Sequence, residues 1–214
     1  MKKIIVSIVA ALMAVPSFAQ FSSGGFELDK ESVYYGVRIG GTAATMSGDG
    51  IDMNAKLGIT LAGIVGVRLS SSVPVFLESG LYYTERGAKK NKYSIGYNNL
   101  EIPILIKYGI QASNDIAVLP FIGTYFAYGI SGDYKMPWND GKNQVKKVGT
   151  FDENKEAGWA GLKRGNMGFK LGCGVEYNLL YLELGYQLGV TDISKNDDYT
   201  IHSNAFFMNF GVNF

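Results

Sequence analysis

The sequence predicts an all-β protein: an eight-stranded antiparallel up-and-down transmembrane β-barrel of the size of OmpA/OmpX-type barrels. Three observations predict it. Apolar and polar residues alternate with period two in runs longer than globular strands. All but one of the charges within those runs share one face. The connections between runs are alternately short and long.

The N-terminus precedes the barrel. Lys2 and Lys3 stand ahead of an apolar run over residues 4–15, followed by Pro16, Ser17, Phe18 and Ala19. That is a charged segment, an apolar segment and a small-residue cleavage site, so residues 1–19 read as a signal peptide cut after Ala19. The apolar run is too short for a membrane-spanning helix, which needs about 20 residues. Residues 20–32 form a short N-terminal segment, and residues 33–214 make up one barrel domain.

The composition excludes several classes. Losing Lys2 and Lys3 turns 20 basic against 19 acidic residues into 18 against 19, a nearly neutral chain with no footprint for nucleic acid. Beyond residue 19 no stretch approaches 18 uninterrupted apolar residues, which rules out a helical membrane protein. Cys173 is the only cysteine and has no partner for an internal disulfide. No His, Cys or Asp spacing suggests zinc, and no cofactor or metal is expected.

The eight runs cover residues 33–45, 57–69, 74–87, 97–110, 116–131, 166–178, 180–191 and 203–214. The clearest is the fourth. Leu100, Ile102, Ile104, Ile106 and Tyr108 share one face, and Glu101, Pro103, Leu105 and Lys107 share the other. The last run repeats the pattern with Phe206, Met208, Phe210, Val212 and Phe214 against Phe207, Asn209, Gly211 and Asn213. The same parity elsewhere yields a second face bearing Arg38, Arg68, Glu78, Arg86, Glu101, Lys107, Lys170, Glu176 and Glu183, interleaved with glycines and Gln187.

Parity alone fits two arrangements, because a soluble sandwich or lipocalin would turn the charged face to water. Three features favour the inverted one, with apolar residues outward and charges in the lumen. Strands of ten or more residues match a tilted bilayer crossing of about 9 to 11 residues. Aromatic residues on the apolar face fall into two girdles: Tyr35, Tyr108, Tyr177 and Phe214 at one rim, Tyr83, Tyr128, Phe169 and Phe206 at the other. The connections 70–73, 111–115 and 178–179 are short, whereas 46–56, 88–96, 131–165 and 192–202 are long, as expected for periplasmic turns and outer loops.

Such a barrel must close, since unpaired backbone groups in hydrocarbon cost several kcal/mol each. The last strand is therefore expected to pair with the first. A barrel of eight strands has room only for its own side chains, so the nine lumenal charges are expected to pair into a network.

Two segments also carry a family resemblance. Gly80-Leu81-Tyr82-Tyr83-Thr84-Glu85-Arg86-Gly87-Ala88-Lys89 and Leu100-Glu101-Ile102-Pro103-Ile104-Leu105-Ile106-Lys107-Tyr108 resemble the third and fourth strands of the PorT-like, porin-family outer-membrane β-barrels of Bacteroidota. The stretch 172–194 and the ending Phe210-Gly211-Val212-Asn213-Phe214 resemble the last three strands. The resemblance implies an outer-membrane location and an assembly signal in Phe210, Val212 and Phe214, read by the barrel-assembly machinery. It brings no catalytic residue with it.

Three sets of residues at the loops and strand ends could carry function, and a fourth is set aside. The loop 131–165 holds Tyr134, Trp138, Phe151 and Trp159 among mixed charges, suited to an extracellular or envelope protein or sugar ligand, or simply to interfacial anchoring. Lys89, Lys90, Lys92, Lys163 and Arg164 lie near the outer rim, where they meet lipopolysaccharide phosphates or merely keep a loop solvated. His202 and Ser203, with Asp197 and Asp198 nearby, contain the residue types of a lipid A-modifying enzyme. Residues 48–52 are too short and irregular for a calcium loop and read as a turn.

The expected protein is a monomeric, non-enzymatic outer-membrane barrel with a filled lumen, in contact with outer-membrane lipid and lipopolysaccharide. A narrow pore, a component of an envelope or secretion assembly, and a lipid A-modifying enzyme are the alternatives.

Overall fold

The structure is a computed structural model, and it describes residues 33–48, 53–70, 72–138, 144–196 and 198–214. The signal peptide and N-terminal segment assigned to residues 1–32 lie outside the described residues, as does most of the turn 48–52.

Its strands are β1 (Val33–Gly48), β2 (Asn54–Arg68), β3 (Val75–Lys90), β4 (Tyr93–Tyr108), β5 (Ile110–Gln111), β6 (Ile116–Trp138), β7 (Gln144–Gly149), β8 (Gly165–Tyr177), β9 (Leu180–Gly189) and β10 (Ile201–Asn213). Eight of them form a ring in the order β4-β3-β2-β1-β10-β9-β8-β6, closed by pairing of β6 with β4. Every ladder is antiparallel. The last long strand does pair with the first, from Gly36 opposite Asn213 to Gly48 opposite Ile201. The two remaining strands, β5 and β7, are short additions to the ends of β6.

Closure follows from the alternation. In β4 the burial pattern inverts at every residue from Asn99 to Tyr108, with Glu101 and Lys107 buried and Ile102, Ile104 and Ile106 exposed. An antiparallel strand places alternate side chains on opposite faces, so one closed sheet turns one set wholly inward and the other wholly outward. Pro103 has no N–H to donate, and the β3–β4 ladder skips two pairs beside it, between Ser79 opposite Ile104 and Tyr82 opposite Glu101, with the register unchanged. Glycines open room where bulky side chains turn inward. A Cβ on Gly66 would lie 2.1 Å from the Tyr34 ring, and one on Gly211 would lie 2.6 Å from Cδ of Arg38.

Of the long loops read from the sequence, 88–96 is mostly strand and 131–165 is strand over 131–138 and 144–149. In the 88–96 connection, β3 and β4 continue to a turn of only Asn91 and Lys92, with Asn91 at φ 52°. In the 131–165 connection, β6 runs on to Trp138 and pairs back with β7. Hydrophobic periodicity lost these ends because they leave the membrane. Their outward residues become polar, while their inward residues pack against a cap rather than a charged lumen. The short connections lie at the opposite end, near Ser70, Ser113 and Asn178.

Candidate functional site

The lumen is filled by side chains from every strand of the ring. All nine charged residues assigned to the inner face are buried, from Glu101 and Glu183 at 0% exposure to Arg68 at 8%. They fall into layers. In the lower layer Glu78 is the hub: Lys107 Nζ lies 2.8 Å from Glu78 Oε2, Tyr34 donates its hydroxyl to the same oxygen at 2.8 Å, and Arg38 Nη2 lies 3.8 Å away. Arg38 also donates to Asn213 Oδ1 at 2.6 Å and lies 4.1 Å from the centre of the Tyr181 ring. Asn213 in turn donates to Glu176 at 2.8 Å.

The upper layer is built on Arg86. Its Nη2 donates to Glu101 Oε2 at 2.8 Å and to Gln187 Oε1 at 2.6 Å, and Gln187 closes the triangle by donating to Glu101. Between the layers, Lys170 sits over the rings of Tyr82 and Phe207 at 4.4 and 4.3 Å, and Glu183 accepts from Asn209 at 2.7 Å. Arg68 closes the lower end by donating to the Ser70 carbonyl at 2.7 Å. Such pairing is what makes burial of so many charges tolerable. Gln187 and Asn213, which bridge charges in both layers, carry no charge themselves, so a search for ionic residues passes over Asn213.

Above the upper layer the outer mouth is covered. Residues 150–164 fold inward onto the extended hairpins, with a single 3-10 turn at Lys155–Ala157 ending on Gly158 at φ 60°. Phe151 is buried, packed edge-on against Tyr97 at 6.1 Å and covered by the Arg164 guanidinium at 4.6 Å. Trp159 stacks on Tyr134 at 4.2 Å and donates its indole N–H to the Thr150 carbonyl at 3.2 Å. With Met46, Ala88, Ile95, Leu162 and Ile193 these rings make a second small core. Backbone and side-chain bonds lock it: Thr150 Oγ1 to Gly96 O at 2.8 Å, Leu162 N to Thr150 O at 2.9 Å, Lys163 N to Ile193 O at 2.8 Å, and Lys195 Nζ to Phe151 O at 2.7 Å.

The candidate loop aromatics therefore face inward instead of standing out from a loop. Phe151 belongs to the cap core, and Tyr134 and Trp159 are half-buried on each other; the side chain of Trp138 lies outside the described residues. The basic set is also divided. Lys163 pairs with Asp192 at 2.9 Å, and Arg164 donates to the Gly129 carbonyl at 2.9 Å, while Lys89 is exposed on the β3 arm.

His202 and Ser203 are strand neighbours whose side chains part company. Ser203 is buried and accepts the Tyr97 hydroxyl, whereas His202 Nδ1 lies 3.2 Å from the Thr191 carbonyl. Asp197 lies outside the described residues. Phe210 and Phe214 are exposed on the outward face, with Val212 half-buried between them. Tyr35, Tyr108, Tyr177, Tyr128, Phe169 and Phe206 are exposed on that face too, and Tyr83 is half-buried. Cys173 is likewise exposed on the outward face. Among the described residues no His, Cys, Asp and Glu group could hold a metal ion.

Comparison with known proteins places this architecture. Among solved structures, Neisserial surface protein A is similar at TM-score 0.48 and 15% identity, over 86% of this chain and 100% of that one. A major outer membrane protein of Thermus thermophilus is similar at TM-score 0.48 and 13% identity, with the same coverage of 86% and 100%. Ail, the attachment invasion locus protein of Yersinia pestis, solved with the heparin analogue sucrose octasulfate, is similar at TM-score 0.41 and 12% identity, over 86% and 99%. No curated protein is similar enough in sequence to match. Residues 18–195 match the family model described as the outer membrane protein beta-barrel domain, and the chain belongs to that family.

Proposed function

We propose that this outer-membrane barrel is a sealed, non-enzymatic scaffold that holds an ordered cap and a rigid set of strand extensions at the cell surface. The observation that carries the reading is the double closure of the lumen. The Arg86, Glu101 and Gln187 triangle fills the upper lumen, and the Phe151 core covers the mouth above it. A barrel of eight strands is narrow enough for one such layer to fill it. The separation of His202 from Ser203 supports a role without catalysis.

The charged segment and apolar run within residues 1–19 support export with a cleaved signal peptide, and the outward Phe210 and Phe214 support recognition by the barrel-assembly machinery. The likeness of residues 80–89 and 100–108 to PorT-like barrels supports a place in that branch. Surface recognition of a protein or sugar partner would fall to the cap and the strand extensions.

Planar-bilayer recording tests the reading. The purified protein is expected to give no steady current, and a stable open conductance would replace the scaffold with a narrow pore.

A further inference from the structure

The outward face of the sheet changes in steps as its strands leave the membrane. Across β3, β4 and β6, Tyr83, Leu100 and Tyr128 stand in one row, followed by Glu85, Asn98 and Ser131. Next come Gly87, Gly96 and Asp133, continued by Gly149 of β7. The following row is Lys89, Ser94, Lys135 and Lys147. At about 3.3 Å per residue the glycine row lies about 13 Å along the strand from the aromatic girdle. With a strand tilt near 40° that is about 10 Å along the membrane normal, the depth of lipid headgroups.

Lys56 of β2 crosses this face. Its Cδ would lie 3.0 Å from a Cβ on Gly87, and its Nζ only 2.0 Å from a Cβ on Gly96, so the two glycines form a trough that its stem and ammonium occupy. Both glycines are buried beneath it. Desolvation and the nearby Lys135 ammonium hold the Lys56 pKa below the usual lysine value, with Glu85 and Asp133 acting against them. Asp133, however, is already engaged by Lys147 at 2.9 Å. Elsewhere on the outer surface Lys146 and Lys163 each have a carboxylate, at 3.0 and 2.9 Å. No carboxylate among the described residues pairs with Lys56, Lys89 or Lys135. Lys56 and Lys135 thus lie close enough to repel, Lys89 stands in the same row as Lys135 two strands away, and none of the three is in an ion pair among the described residues.

We propose that Lys56, Lys89 and Lys135 bind a phosphate group of an outer-leaflet glycolipid and hold that lipid against the outward face of β3, β4 and β6. The occupant follows from depth and charge. A phosphorylated lipid whose acyl chains lie along Ile102 and Phe126 would bring its phosphate to the glycine trough, whereas a soluble anion would gain nothing from the apolar rows below. The proposal depends on the membrane orientation of the barrel and not on its sealed lumen, so a conducting channel would leave it intact.

Native mass spectrometry of the full protein in a neutral detergent, titrated with lipid A, tests it. Lipid A should bind, phosphate-stripped lipid A should bind at least about tenfold more weakly, and millimolar inorganic phosphate should not compete. The triple variant K56Q/K89Q/K135Q should lose at least about tenfold in lipid A affinity. K163Q, whose lysine belongs to the cap pair with Asp192, should bind like the wild type. If the triple variant does not fold, K89Q and G96A take its place, the latter because a methyl group would displace the Lys56 ammonium. Equal binding of lipid A by these variants and the wild type would overturn the proposal. Effective competition by inorganic phosphate would overturn the lipid source.

Discussion

Arg86 and Glu101 show how individual side chains hold this barrel shut. Glu101 accepts from both Arg86 and Gln187, so truncating it strands a buried guanidinium and a buried amide together. Glu101→Ala should therefore destabilise the barrel by about 3–5 kcal/mol, measured by urea unfolding in detergent micelles. Replacing the pair with Arg86→Met and Glu101→Leu should recover most of that loss, because the cost comes from the unpaired charge. A Glu101→Ala penalty below about 1 kcal/mol would show that the layer contributes little.

Asp192 plays the corresponding part in the cap. Its Oδ1 accepts the amides of Ser194 and Ile201, both at 2.9 Å, and its Oδ2 meets Lys163 at 2.9 Å. Against the cost of partial desolvation, these bonds pull its pKa down to about 2. Because the folded-state value lies below the ordinary one, the stabilisation is fully present above the ordinary carboxylate range, near pH 4, and is lost as pH falls toward 2. The hydrogen-exchange protection factors of the Ser194 and Ile201 amides should stay high down to about pH 4 and fall below it. Asp192→Asn should show the lower protection already at neutral pH.

Strands and connections differ in how much of them the alternation could reveal. The eight membrane-crossing segments were legible because lipid outside and charge inside give opposite demands at successive residues, as from Leu100 to Tyr108. Their outer ends were not. Ala88, Ile95 and Tyr134 face a small apolar core, while Lys89, Ser94 and Lys135 face water, and this weaker contrast reads as a polar loop. The cap was hidden for the same reason, since Phe151 and Trp159 are separated by charged residues that only the fold turns away.

If the cap is held by that core, Trp159→Ala should speed hydrogen exchange at the Leu162 and Lys163 amides by at least about tenfold, through loss of the stack on Tyr134 and the bond to Thr150. It should open no conductance, because the Arg86 layer lies beneath. Unchanged exchange would mean the aromatic stack is incidental.

For the molecule as a whole, an eight-stranded ring with its last strand closing on its first follows from length, parity and the alternation of turns, and residues 18–195 match the outer membrane barrel family. The identity of the inward charges was also legible, because each falls on the same parity as its strand neighbours. Their partners were not: Arg38 reaches Asn213 from 175 positions away in the chain, and Arg86 reaches Gln187 from 101. Those contacts are set by barrel shear and by the glycines that let large side chains cross the lumen, neither of which a period-two pattern encodes.

All of this depends on apolar side chains meeting lipid and ionic ones meeting each other. Spin labels placed singly at residues 100–107 of the protein in lipid vesicles, with Cys173 replaced by serine, report that arrangement through their collisions with oxygen and with a water-soluble nickel complex. Oxygen access should peak at Leu100, Ile102, Ile104 and Ile106, with little access of either reagent at Glu101, Leu105 and Lys107. High nickel access at Glu101 and Lys107, with Ile102 and Ile104 shielded from oxygen, would mean that the sheet is turned the other way round.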